Sequence, residues 1–542
     1  MSNRHINFYG RVKRFNHNLS YRNFLSFEIG ELRGIWLEDG VPGDTIQYKP
    51  EVRFYFAPLV FPVLSAFKAR VDVWYVPNRL AIDDWENFIT GGPDGQASPA
   101  YPSIRNVYQS ITGSTQGVFA TMMTSQIGSN SSLLNDLGHP TITGMTGADL
   151  QNDPYDLVPL YDFQFIYDEN YRDEEKEPSI TSFNGIRRDL YDVCQDPVTM
   201  SMWELSLRSN LHHRVAWAKD YFTTASLKQQ RGGDIPLLSG QMFKSVSGAS
   251  SASNASLALA GSASNYAEGS VYASYGGGVT ELLQSSLTIN GLRELYAASA
   301  WLNNNVVGGT RYREQLRNRY HVVYSDARLQ VPELVGSCNI PVQVDVVTQT
   351  SATIPEPGSG DGVYALGDRT GKASVVGSGQ MMTYSCEEFG YFIAILHVAP
   401  KAAYFQGIRR NLQREDRFDF WSPEFEKLPQ RPIFNNEIYA DANTLDPENG
   451  GTFGYTGIFN EYRFHNDEVH GDFQDSLLAW TTARKFSAVP SAASEAFLRV
   501  DSNIQGNNRI FAAPLSEESH IYGVVNNIVL AKRLISNVEP KF

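Results

Sequence analysis

A chain of 542 residues can bury a large core, but its length does not fix the number of domains, because β sandwiches and barrels absorb such lengths through insertions. Charged residues make up only 19% of it and aromatic residues 12%, a balance that favours β structure and broad contact surfaces over a highly solvated chain. The formal charge of −14 excludes a protein drawn to nucleic acid by overall attraction, so any contact with a polyanion has to be local.

The N-terminus carries such a local charge. Arg4, Arg11, Lys13, Arg14 and Arg22 all precede the first acidic residue, Glu28, and are interleaved with Phe8, Tyr9, Phe15 and Tyr21. We read residues 1–23 as a basic arm. A single strand offers phosphates to Arg and Lys and unstacked bases to aromatic rings, which makes the five basic residues candidate nucleic-acid contacts. A second reading stands beside it, in which the rings pin the arm against a neighbouring subunit. Lys532, Arg533 and Lys541 at the other end are secondary candidates for the same contact.

Beyond the arm, Glu51 to Phe56 and Ala69 to Val76 alternate in hydropathy and predict two strands, with Val41-Pro42-Gly43-Asp44 and Pro77-Asn78 as turns around them. From Asp83 to Ile89 and from Tyr161 to Glu175 the pattern becomes helical or irregular. The stretch between, Gly91 to Asn152, is rich in Gly, Ser, Thr and Pro and reads as surface elaboration. Met200 to Phe222 reads as a helix, since Trp203, Leu207, Leu211, Val215 and Trp217 recur mostly at helical spacing.

Ser245 to Ala267 contains no charged residue and is mainly Ser, Ala, Gly and Asn, too small and polar to build a core. Such a segment lies outside the packed body, either disordered or packed against its own copies around a symmetry axis. Leu287 to Tyr320 reads as a helix interrupted at Gly308-Gly309, and strand patterns return at Ile340 to Thr348, Tyr391 to Val398 and Ile521 to Ile535. The Tyr391 to Val398 run is apolar on both faces and so belongs in the middle of a sheet. Strands near both chain ends with long excursions between them predict a mainly β, antiparallel sandwich with large insertions and a few helices.

Chemical motifs mostly fail. GxSxG, HExxH and GxGxxG do not occur, and Gly367 to Ala373 misses a phosphate-binding loop by one residue of spacing and by Ala373 in place of a hydroxyl. His212-His213 has no His or carboxylate four residues on, which leaves a helix-surface or interface pair. Asp168-Glu169 and Asp173-Glu174-Glu175 offer carboxylates to a glycosidase or a Ca²⁺ site, but solvated charge explains them more simply. Cys194, Cys338 and Cys386 are too few and too far apart for a disulfide framework or a zinc pattern, and read as free thiols in a reducing cytoplasm. No catalytic residue, metal or cofactor is expected. The chain begins without a secretory signal and has no run of ~20 apolar residues that would span a bilayer.

Read in order, many segments resemble the major capsid proteins of the microviruses, particularly the gokushovirus form. The resemblance runs through Val41-Pro42-Gly43-Asp44, Phe56-Ala57-Pro58-Leu59 and Val76-Pro77-Asn78-Arg79-Leu80, then Tyr171-Arg172-Asp173, Lys219-Asp220-Tyr221-Phe222-Thr223 and Gly308-Gly309-Thr310-Arg311-Tyr312. It continues through Asp326-Ala327-Arg328-Leu329-Gln330, Asn436-Glu437-Ile438-Tyr439 and Glu461-Tyr462-Arg463. The family commonly has a Pro-Trp-Pro-like sequence where this chain has Ser226-Leu227-Lys228.

The resemblance implies an eight-stranded antiparallel jelly roll over residues 24–542, with helix and loop elaborations at 81–235 and a variable surface insertion at 236–286. It implies a non-enzymatic coat: a sixty-copy icosahedral shell around circular single-stranded DNA, assembled in the cytoplasm of a bacterial host with minor capsid or scaffolding proteins. The insertion would cluster at threefold axes and is the candidate for attachment to a host surface receptor. From the residues alone, a β-sandwich carbohydrate-active hydrolase or a binding module remains the competing reading.

Overall fold

The computed structural model describes residues 14–94, 96–183, 186–187, 189–195, 212–229, 273–275, 278–280, 289–308, 311–320, 330–348, 350, 369–426, 428, 430–445, 450–492, 494–500, 507–512 and 519–535. Eleven strands form two large antiparallel sheets: β1 (Phe15–Asn18), β2 (Tyr21–Phe27), β3 (Arg33–Gly40), β4 (Thr45–Phe56), β5 (Phe67–Pro77), β6 (Glu333–Pro341), β7 (Gln343–Thr348), β8 (Arg369–Ser378), β9 (Met382–Ser385), β10 (Gly390–Pro400) and β11 (Ile521–Arg533).

The first sheet has the order β1-β11-β4-β8-β7, with β2 also on β11 and β9 also on β4. Strand β4 shows why these residues pair as they do. Ile46, Tyr48, Val52, Phe54 and Phe56 point into the core, while Gln47, Lys49, Glu51, Arg53 and Tyr55 point out, the period-2 pattern of a sheet with one wet face. Pro50, which has no N–H to donate, sits where the partner strand changes: β8 pairs with Glu51 to Tyr55, β9 with Thr45 to Tyr48, and the Gly379 N–H between them donates to the Pro50 carbonyl at 2.8 Å. Gly43, at φ +90°, makes the turn from β3 into β4 in a backbone conformation that a side chain would strain.

The second sheet has the order β6-β5-β10-β3. As its apolarity predicts, β10 is central, and Phe392, Ile393, Ala394, Ile395 and Leu396 are all buried. Inner residues of the two sheets belong to one core; Trp36 of β3, for example, lies against Tyr48 of β4 and Phe392 of β10. Only Val342 separates β6 in one sheet from β7 in the other.

The outer face of the second sheet is covered. Helices α1 (Trp85–Thr90), α2 (Ile104–Ser110), α3 (Ser114–Ile127), α4 (Leu133–Asp136) and α5 (Val158–Asn170) follow β5. Helix α5 is buried from Val158 through Asp168, and Tyr391 on β10 donates to Asp156 just ahead of it at 2.7 Å. Tyr171 just after it donates to Asp72 on β5 at 2.8 Å. The region 91–152 is therefore not surface elaboration throughout. Phe119, Met122, Met123, Leu133 and Leu134 join the main core, and the polar composition runs through helix α3 itself, where Thr115 and Gln126 are buried beside them.

Residues 212–222 are extended and turn-like rather than helical. Bridges Glu31↔Arg214 and Ala216↔Arg499 hold them, and Val215 and Trp217 alternate inward. Of the stretch Gly367 to Ala373, Arg369 onward belongs to strand β8, and Gly367 and Asp368 lie outside the described residues. The chain divides into two compact units, Met1–Leu227 with Val323–Phe542, and Lys228–Val322. Within the second, Ala273–Tyr275 pairs with Gly278–Thr280, and helices Ile289–Gly308 and Tyr312–Tyr320 flank the expected Gly308-Gly309 break. Ser245 to Ala267 lies outside the described residues.

Candidate nucleic-acid interface

The covered second sheet leaves the outer face of the first as the open side of the sandwich. Its strands are in register, so outward side chains line up in rows across β2, β11, β4 and β8. One row is Ser26, Tyr522, Tyr55 and Ser374; the next is Phe24, Val524, Arg53 and Val376; a third is Arg22, Asn526, Glu51 and Ser378. Phe24 is 76% exposed, and Tyr55 and Tyr522 stand side by side at about 40%. Lys372 and Lys532 are exposed on the same face.

Glu51 is the acidic member of these rows and it is engaged. Lys49 donates to it at 3.1 Å and the Asn526 amide at 3.2 Å, and these bonds lower its pKa below the usual carboxylate range. Arg22 and Arg53 have no ion-pair partner among the described residues. A protein of charge −14 thus presents one face on which Arg22, Arg53, Lys372 and Lys532 stand among the rings of Phe24, Tyr55 and Tyr522, against the carboxylates of Glu51 and, opposite Lys372, Asp345. Guanidinium and ammonium groups spaced among π faces suit a strand with accessible phosphates and unstacked bases.

Of the five arm residues, Arg14 is exposed immediately before β1, Arg22 lies in the third row, and Arg4, Arg11 and Lys13 lie outside the described residues. At the other terminus Lys532 joins the open face, whereas Arg533 turns inward and is not available to a phosphate. Its guanidinium is 3.0 Å from Glu38, 2.8 Å from Asp44 and 3.4 Å from Asp39. Lys541 lies outside the described residues. Arg53 and Tyr55 were legible only as the outward half of an alternating strand, because nothing in their local sequence marks them as contacts.

The other charged candidates are structural. Asp168 is buried, not solvated: it accepts from the Thr181 hydroxyl at 2.6 Å and also from Arg172 and Ser179. Glu175 accepts from the Ser226 hydroxyl at 2.7 Å and the Leu227 N–H at 2.9 Å, and Lys219 lies 3.1 Å from Asp173. His212 and His213 are buried off any helix rather than on a helix surface. His213 stacks on Tyr167 at 3.7 Å and meets the Gln164 amide oxygen at 2.5 Å, and burial pushes its pKa down to about 3. The three cysteines are free, Cys194 and Cys386 buried and Cys338 half-buried. Among the described residues no group of three or more His, Cys, Asp or Glu side chains could hold a metal ion, and no helix is long and apolar enough to cross a membrane.

Comparison with known proteins gives concordant results. A family model described as capsid protein (F protein) matches residues 7–132 and 157–540. The chain is 24% identical to capsid protein VP1 of Chlamydia phage 1, covering 93% of this chain and 91% of that one. It is 26% identical to capsid protein VP1 of Bdellovibrio phage phiMH2K over 88% of this chain and 86% of the relative. To capsid protein VP1 of Spiroplasma virus 4 it is 27% identical over 39% and 38%.

Proposed function

The chain belongs to the phage capsid protein (F protein) family, as a Microviridae major capsid protein of the gokushovirus type, and from that premise we propose how it builds its particle. Copies associate into a sixty-copy icosahedral shell that encloses circular single-stranded DNA. The sandwich is the wall, read as an eight-stranded jelly roll in which β2, β11, β4 and β8 with β9 oppose β3, β10, β5 and β6. The long connections supply most contacts between copies, and many modest interfaces sum to a closed particle. The role is structural and no bond is made or broken.

The observation that carries the DNA reading is the open face of the first sheet, with Arg22 and Arg53 lacking an ion-pair partner among the described residues and standing beside Phe24, Tyr55 and Tyr522. We assign this face and the arm residues Arg4, Arg11, Lys13, Arg14 and Arg22 to the inside of the shell, against the packaged strand. The 236–286 insertion is assigned to the outside, as the contact with a host surface receptor. Minor capsid or scaffolding proteins assist assembly in the host cytoplasm. Electron microscopy of the purified chain tests the reading: closed particles of uniform size are expected, and a stable monomer at high protein concentration refutes it.

A further inference from the structure

The connection between β10 and β11 exposes an unusual group of large side chains: Phe418, Phe420, Trp421, Leu428, Tyr462 and Phe464 are each 50 to 55% exposed. They are not scattered. The Arg414 guanidinium lies over the rings of Phe420 and Tyr462, at 4.6 and 5.1 Å, and donates to the Tyr462 hydroxyl at 2.6 Å. The Trp421 N–H reaches the same hydroxyl at 3.4 Å, and Phe418 meets Phe425 edge-on at 5.7 Å. A hollow of about 270 Å³ opens between Trp421, Glu426, Phe459, Tyr462 and Arg463.

Aromatic side chains present ~150–250 Å² each, so the five rings at half exposure offer on the order of 500 Å² of apolar surface, to which Leu428 adds. That is the upper end of what a lone monomer shows, and most of the ~800 Å² that one partner gives to a standard interface. The composition is that of an interface core, aromatic rings with Arg.

The charges select the occupant. Arg414, Arg417 and Arg463 share the surface with Glu415, Asp416 and Glu426. With as many carboxylates as guanidinium groups, the surface offers no net attraction to phosphate, which argues against nucleic acid here. A surface bearing both signs can satisfy the charges of another surface like itself. We propose that this arginine-aromatic surface is a contact between copies of the chain, its occupant a second copy, with Trp421 and Tyr462 at its centre. The proposal rests on the shell reading above and names one of the seams that reading requires.

The test compares wild-type protein with the double variant Phe418→Asp, Trp421→Asp. Because both side chains are exposed, the variant should give folded subunits by circular dichroism, yet need about tenfold or more protein to form particles, the factor that follows from losing a hot-spot contact. Variant particles that form at the wild-type concentration overturn the proposal, and normal particles that adsorb poorly to host cells reassign the surface to a receptor. Should the variant misfold, hydrogen exchange on wild-type protein decides. Amides of 412–426 and 459–464 should exchange more slowly in particles than in dissociated subunits, and equal exchange overturns the proposal. A wild-type chain that forms no particle at all sinks the shell reading itself, which separates that failure from a defect specific to the variant.

Discussion

Trp36 and Tyr48 stack ring on ring, centroids 4.1 Å apart and planes 4° from parallel, and through this pair the two sheets touch. The Tyr48 hydroxyl then donates to the Asn527 side-chain oxygen at 2.8 Å, and the Asn527 amide donates to the Ile35 carbonyl at 2.9 Å. Three strands are thus joined by a buried polar link inside an apolar core.

Truncating either ring should loosen the sandwich by different amounts. Trp36→Ala is expected to cost about 3–5 kcal/mol, as large buried aromatics do. Tyr48→Phe keeps the stack but leaves the buried Asn527 oxygen without its donor, at about 1–3 kcal/mol. Urea unfolding of dissociated subunits checks both; a Tyr48→Phe subunit as stable as wild type would mean that the link contributes nothing.

Stability should also depend on pH through Asp136. Burial raises its pKa to about 7 although Arg33 lies 2.8 Å away. The folded form therefore keeps a proton that the unfolded chain releases near its ordinary value, and stability falls as pH rises from about 4 to about 7, by at most about 1.4 kcal/mol per unit. Asp136→Asn should remove this downward contribution, leaving a slope shifted upward by at most about 1.4 kcal/mol per unit, while keeping an oxygen for Arg33. His213, held neutral down to about 3, has the opposite sign: its contribution is lost as pH falls below about 6.5 and remains in the variant. Urea midpoints between pH 4 and pH 8 read the difference, and an unchanged slope in Asp136→Asn excludes the assignment.

The open sheet face should announce itself in salt dependence. Replacing Arg22, Arg53 and Lys532 with Ala should reduce the log-log salt slope for a single-stranded oligonucleotide by about 2, at ~0.7 per phosphate contact. Phe24→Ala should weaken binding without altering the slope, by about 1–3 kcal/mol if a base stacks there. A triple variant with the wild-type slope would place the strand elsewhere.

Deleting Ser245 to Ala267 should leave particle assembly intact and reduce adsorption to host cells. Loss of assembly with normal adsorption would show that the segment belongs to the wall.

What could be read from the sequence was whatever depends on near neighbours. Strands β4, β5, β10 and β11 follow from alternation or from unbroken apolar runs, and the Ile289–Gly308 helix from its spacing and its glycine stop. Helix α3 was hidden because its buried side chains, from Thr115 to Ile127, include polar ones and do not form one apolar stripe. Trp217 was misassigned to a helix because its real anchor, the Arg499 carbonyl accepting from its indole N–H at 3.1 Å, lies 282 residues away. Arg533 looked like a free cation for the same reason: Glu38, Asp39 and Asp44 are nearly the whole chain distant. The arm was visible as composition, whereas the face that Arg22 shares with Arg53 exists only once β2, β11 and β4 are in register.

Val342, alone between β6 and β7, ties the sheets so closely that neither can slide past the other without tearing hydrogen bonds from both. A tile braced in this way resists shear from within. Curvature, and any swelling or opening of a particle made from it, must then be taken up at the seams between tiles.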